Sequence, residues 1–310
     1  MTIRQRVNLR VSHHLWVIAP GCQLNRFRLC DHTGNGQWHT DCTMLMFPKP
    51  IKPSADGTLN NALKTLVVCG LCCLCVISPR LFAAHHCVVL QYHHFSDATP
   101  EVTSVTPAQF DAHLAYLQEH RFNVMPLRDV VSSLEHRSAL PEKCVSLTVD
   151  DAYLSVYQTA YPRIKALGWP MTVFVSSGAV DKRLGAFMSW EQMREMSQHG
   201  ISFENHSHSH AHLIRTQVHE GPEAWQRRVI QDIQLAQRRI TQELATAPVL
   251  FAHPYGEFTP RLNAIIKTLG LSGFGQQSGP VWPGADFGAL PRFPMAAGYA
   301  DLPGFVTKVN

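Results

Sequence analysis

The sequence predicts an α/β domain built on a parallel sheet, open or closed into a barrel, from about residue 85 to the C-terminus. Two observations carry this reading. Short runs of β-branched and aromatic residues alternate with segments whose apolar residues recur at helical spacing. No internal repeat or low-complexity linker interrupts the alternation, so the stretch reads as one domain. A third observation places the chemistry: Ser146-Leu147-Thr148-Val149, suited to a buried strand, runs straight into Asp150 and Asp151.

The elements follow in order. Val88 to Tyr92 reads as a buried strand ending at His93-His94. Thr106-Pro107-Ala108-Gln109 supplies an N-cap, a first-turn proline and a polar third position, and Phe110, Leu114 and Leu117 continue at helical spacing. A second helix is expected from Leu127 to His136, and a strand from Val145 to Val149. Tyr157, Tyr161, Ile164 and Leu167 mark a helix that Gly168 stops, and Met171 to Val175 is the next strand. Ser189-Trp190-Glu191-Gln192 is a capping-box start for a helix reaching about His199. Ile201 to Phe203 is a short strand that delivers Asn205-His206-Ser207-His208-Ser209-His210-Ala211-His212. A long amphipathic helix spans Trp225 to Leu244, Val249 to Phe251 is a strand leading into His253-Pro254-Tyr255-Gly256, and a helix from Leu262 to Leu269 follows.

The chain has 310 residues, 45% hydrophobic and 16% charged, ordinary values for a globular protein. Its formal charge of +4 is unevenly spread. Residues 1–84 hold nine Lys/Arg against three Asp/Glu, so the remainder is mildly acidic at −2 and offers no electrostatic footprint for nucleic acid.

Leu66 to Ile77 is an uncharged apolar run, too short to span a bilayer comfortably but suited to a signal-peptide core, with small residues at Ala83-Ala84 for cleavage. A signal should begin near the N-terminus, and Met44 or Met46 would start one of normal length. Residues 1–43 therefore read as an unstructured upstream extension, 44–84 as the signal peptide and 85–310 as the folded domain. The competing reading of the leader is an uncleaved membrane anchor; either places the body outside the cytoplasm, periplasmic or extracellular. Cys30, His32, His39 and Cys42 lack the spacing of a standard zinc finger.

Only Cys87 and Cys144 of the nine cysteines lie in the body. Each stands just before a strand aimed at the acid pair. If the strands are parallel neighbours, the thiols meet at the bottom rim, and export would permit a disulfide. The plainer expectation is two buried thiols acting as small hydrophobes.

The chemistry lies in two clusters. At the carboxyl end of a parallel strand, Asp150 and Asp151 can be aimed differently and split one task, one holding a metal while the other takes a proton from water. His206 and His210, four apart, would place both rings on one side of a helical turn. Two imidazoles and one carboxylate make a three-ligand site with open positions, the arrangement of catalytic zinc, and the second carboxylate supplies a base.

These residues resemble the polysaccharide deacetylases of carbohydrate esterase family four, which share the chitooligosaccharide deacetylase homology domain, a distorted (β/α) barrel. The family's Thr-Phe-Asp-Asp-Gly appears as Thr148-Val149-Asp150-Asp151-Ala152, and its His-Ser/Thr-x-x-His motif falls within Asn205 to Leu213. The resemblance spans residues 88 to 298. It implies Asp150 as base and Asp151, His206 and His210 as ligands of a divalent metal, zinc first. Tyr255 would lend its backbone N–H to an oxyanion, and His93, Pro254 and Arg292 would lie on the substrate side. The early Tyr92-His93-His94 segment resembles biofilm poly-N-acetylglucosamine deacetylases, so the implied substrate is an N-acetylhexosamine polymer.

Three departures stand out. The arginine that precedes the family's Pro-Tyr-Gly motif is Ala252, with Arg292 a candidate substitute for bracing the base. Ala152 replaces a glycine. No histidine follows His253, although the family's late Leu-x-His motif protonates the leaving amine. Truncation at the C-terminus, a role for His253 or water, or weak catalysis would each account for that. The alternative function is a polysaccharide-binding pseudoenzyme of the same fold.

Overall fold

The computed structural model describes residues 86–310. The expected upstream extension, the expected signal segment or, on the competing reading, membrane anchor, and the early Cys/His residues all lie outside those residues. Among the described residues no helix is long and apolar enough to cross a membrane.

Strand β1, Cys87–Tyr92, is buried throughout, as its run of β-branched residues implies. A small parallel pair, β2 (His94–Phe95) and β3 (Ser104–Val105), leads to helix α1, Pro107–Glu119. Thr106 is the expected N-cap and forms a capping box with Gln109, each side chain bonding the other's backbone N–H. Strand β4 (Asn123–Val124), helix α2 (Leu127–Glu135) and strand β5 (Cys144–Val149) follow. One π-helical turn, Val156–Ala160, precedes α3, Tyr161–Leu167, which Gly168 ends at φ 65°.

Beyond it come β6 (Met171–Val175), the short α4 (Ser177–Asp181), α5 (Trp190–Ser197) with its own capping box at Ser189, and β7 (Ile201–Asn205). The long α6 spans Pro222–Leu244, and β8 (Leu250–Ala252), α7 (Pro260–Thr268), β9 (Ser272–Phe274), β10 (Phe293–Pro294) and α8 (Leu302–Val309) complete the chain.

The strands make one eight-stranded sheet in the order β10-β1-β5-β6-β7-β8-β9, with β4 beside β5, and every pairing is parallel. The sheet curls until residues 287–295 bridge its ends: Leu290 bonds Gly273 of β9, and Met295 bonds Gln91 of β1. This is the distorted barrel in a single domain. Side chains alternate with period two. Val88, Leu90, Tyr92, Val145, Leu147 and Val149 pack with the outer helices, while Cys87, Val89, Phe174, Leu250, Ala252 and Phe274 form a separate inner cluster.

Two expectations change. Cys87 and Cys144 are direct register partners in β1 and β5, with Cα atoms 4.7 Å apart, and they are joined as a disulfide rather than left as free thiols. Residues 272–310 hold β9, β10 and α8, which carry too few periodic residues to be read from sequence.

Candidate active site

All strands point their carboxyl ends to one rim, and the site is built from the loops there. Strand β5 hands over to Asp150 and Asp151, with Asp151 at φ 73° and Ala152 at φ 61°. Two consecutive left-handed residues turn the chain sharply, which aims the two carboxylates apart. Ala152 adopts a backbone conformation that glycine takes more cheaply, by about 1–2 kcal/mol.

Asp150 points into the barrel and is fully buried. Arg292 clasps it with Nη1 to Oδ1 at 2.7 Å and Nη2 to Oδ2 at 2.8 Å, and Gln91 Nε2 donates to Oδ2 at 2.6 Å. Burial alone would raise this carboxyl, but the guanidinium overrides it and brings it down to about 2. Arg292 itself is wholly buried, donates to the Gly275 carbonyl at 2.9 Å, and lies over the Phe174 ring. The expectation that Arg292 meets substrate is corrected, because its planar fork is enclosed and committed to Asp150. Arg292 thus braces Asp150, the task for which the sequence offered it as a substitute in the absence of an arginine at position 252.

Asp151 faces the other way, towards the histidine loop. Its Oδ1 lies 3.4 Å from His206 Nε2 and 3.1 Å from His210 Nε2, and the three ligand atoms all fall within 4.8 Å of one another. Burial works against ionisation of Asp151, and the two imidazole hydrogen bonds override it, holding it well below the usual carboxylate range. Burial likewise lowers His206, yet the bond to Asp151 raises it overall. The spot thus draws positive charge. Tetrahedral zinc with bonds of about 2.0–2.1 Å sets neighbouring donors about 3.3 Å apart, so the donor set and its spacing fit a divalent cation. His206 Nδ1 bonds the Ala252 carbonyl at 2.8 Å, leaving Nε2 to face the ligand position.

His206 and His210 meet through a loop, not the helical turn expected from their spacing. Ser207 at φ 64° and His210 at φ 51° bend the chain instead. The loop lies against α4, where a Cβ on Gly178 would fall against the His208 carbonyl oxygen.

His93 borders the site, its Nε2 4.0 Å from Asp150 Oδ2 and its side chain 18% exposed. Tyr255, at φ 59°, lies edge-on to the His210 ring at 4.6 Å and stacks on His212 at 3.9 Å. Pro254 is buried beneath it. His253 is also buried, its Nε2 bonded to the Gly288 carbonyl at 2.7 Å, so it does not face a substrate. Sequence reasoning missed Gln91, Gly178 and Tyr153, whose ring stacks on His94 at 3.7 Å. Gln91 alone gave a signal, as a polar residue inside an apolar strand run.

Residues 137–274 match the family model described as polysaccharide deacetylase. The chain carries a polysaccharide deacetylase domain. Its fold matches that of the Streptococcus pyogenes deacetylase PplD, with a TM-score of 0.65 at 21% identity over 73% of this chain and 98% of that one. IcaB from Ammonifex degensii gives a TM-score of 0.64 at 25% identity over 73% and 97%. In sequence, the poly-beta-1,6-N-acetyl-D-glucosamine N-deacetylase of Staphylococcus aureus (strain MRSA252) is 24% identical over 206 residues, 64% of this chain and 71% of its own. The Bacillus subtilis (strain 168) protein YxkH is 33% identical over 125 residues, and that match spans 40% of this chain and 43% of YxkH. The deacetylase domain so identified contains Asp150, Asp151, His206, His210 and Tyr255, while His93 and Arg292 lie outside the matched span.

Proposed function

We propose that this chain is a metal-dependent hydrolase that removes N-acetyl groups from an N-acetylhexosamine polysaccharide, with zinc as the metal. One observation carries the proposal. Asp151, His206 and His210 converge on a cation-sized position, and Asp150 stands beside them, held ionised by Arg292. A bound divalent cation would supply Lewis acidity to the acetamide carbonyl and to a water.

The chain's own residues do the rest. Asp150 accepts the proton that water loses as it attacks. Tyr255 offers its backbone N–H to the oxygen that becomes negative. His93 completes the proton path to the leaving amine. Burial lowers its imidazole, so it is neutral at rest and needs a proton from Asp150, 4.0 Å away, before it can donate. That proton ends on the amine as the C–N bond breaks. The role expected of a late histidine then falls to one on β1's exit loop rather than to the enclosed His253.

Poly-β-1,6-N-acetylglucosamine leads the candidate substrates, supported by the likeness to the Staphylococcus aureus deacetylase. Action outside the cytoplasm is supported by the Cys87–Cys144 disulfide and the apolar leader. Acetate release from that polymer, from chitin oligomers and from peptidoglycan glycan tests the proposal. Release that stops on chelation and returns with zinc is expected; a metal-loaded protein that frees no acetate from any of the three would contradict it.

A further inference from the structure

The two histidine ligands are secured differently. The His206 side chain is 2% exposed and its ring is pinned by the Ala252 carbonyl. The His210 side chain is 27% exposed, and its position depends on a loop with non-glycine residues at positive φ on either side of His208 and Ser209. Such a backbone persists only where its surroundings over-determine it.

Helix α6 provides those surroundings. Asp232 turns its carboxylate onto two successive backbone donors, with Oδ1 accepting from His208 N at 2.9 Å and both oxygens within 3.4 Å of Ser209 N. The carbonyl of the next residue, Ile233, and Gln237 Oε1 further along the helix accept from Asn205 Nδ2 at 2.9 and 2.8 Å. Asn205 in turn accepts from Ser207 N at 2.8 Å, and Ser207 Oγ accepts from His210 N at 2.9 Å. The Gln237 amide also donates to the Pro248 carbonyl, just ahead of β8. One helix therefore fixes the histidine loop at its start and at its apex, where Asp232 supplies the charged contact.

We propose that Asp232 is a positioning residue that holds His210 in ligand geometry and so sets the metal affinity of the site. This rests on the metal reading given above. A carboxylate facing consecutive N–H groups does for the loop's backbone what the Ala252 carbonyl does for the His206 ring, and supporting partners of that kind commonly change metal affinity about 10–100-fold.

The test uses the full chain with Asp232→Ala and Asp232→Asn. Zinc affinity is measured by chelator competition, the visible spectrum is recorded with cobalt, and the metal-free proteins are melted. Asp232→Ala is expected to weaken zinc binding about 10–100-fold and to shift the cobalt bands, with little change in metal-free melting. Asp232→Asn, which keeps one oxygen acceptor and the size, is expected to lose less. If the alanine variant does not fold, the asparagine variant decides alone. Wild-type affinity with an unchanged cobalt spectrum in the folded variants overturns the proposal. A wild-type protein that binds no metal overturns the metal reading instead, so the two failures are distinguishable.

Discussion

Arg292 reaches Asp150 across 142 positions of sequence and closes on it with two hydrogen bonds of 2.7 and 2.8 Å. The pair joins the strap that bridges the sheet ends to the carboxyl end of β5. It therefore links closure of the barrel to the charge of the acid beside the Asp151, His206 and His210 group.

Arg292→Ala is expected to leave a buried carboxylate without its cation, at a cost of about 3–5 kcal/mol near neutral pH. In the wild type the folded carboxyl lies at about 2, below its unfolded value near 4. Its contribution is present above pH ~4 and lost as pH falls through ~2. Without the guanidinium, burial raises the carboxyl and the sign reverses. The gap in Tm between metal-free wild type and variant should be wide at pH 7 and narrow at pH 3. An equal gap at both would refute the charge argument.

His93→Gln separates proton delivery from attack. Cleaving an amide requires a protonated amine, whereas an aryl acetate releases a phenolate unaided. The variant should lose about 10²–10⁴-fold in kcat on the N-acetylated polymer while keeping most activity on the aryl ester. Equal losses on both substrates would remove His93 from the leaving-group step.

How far these roles were legible depends on range. The N-cap at Thr106, the capping box at Ser189 and the stop at Gly168 are local, and the sequence reading placed them correctly. The Asp150-Asp151 and His206/His210 clusters were visible as chemistry, but the loop that unites the histidines was not, because its positive φ values sit on serine and histidine rather than glycine. Closure by residues 287–295 escaped notice since that segment is short, proline-containing and aperiodic. Asp232 sits among the polar positions of an ordinary amphipathic helix, where nothing in one sequence marks it out.

Gly178 permits a close approach that any side chain would block, since its N–H bonds the His208 carbonyl at 2.9 Å and a Cβ would strike that same oxygen. Gly178→Ala should push the histidine loop outward, costing about 1–3 kcal/mol and weakening zinc binding. Calorimetric titration with zinc checks it; unchanged affinity would mean the loop adapts freely.

The disulfide stands at the opposite end of β1 and β5 from the site. Replacing Cys87 and Cys144 together by alanine should lower stability by about 2–4 kcal/mol and leave kcat at 25 °C within about twofold, since the register of β1 on β5 also rests on backbone bonds. Thiol titration of the denatured, exported wild type should find neither cysteine free. Two free thiols would show that the bond does not form.

The division of labour between the adjacent acids is the centre of the account, and two variants measured side by side test it most directly. For Asp150→Asn and Asp151→Asn, bound zinc per chain and acetate release from poly-N-acetylglucosamine are determined on the same samples. The account predicts that Asp150→Asn keeps its zinc and releases almost no acetate, while Asp151→Asn loses the zinc. Full acetate release by Asp150→Asn, or zinc retained by Asp151→Asn at wild-type affinity, would contradict it.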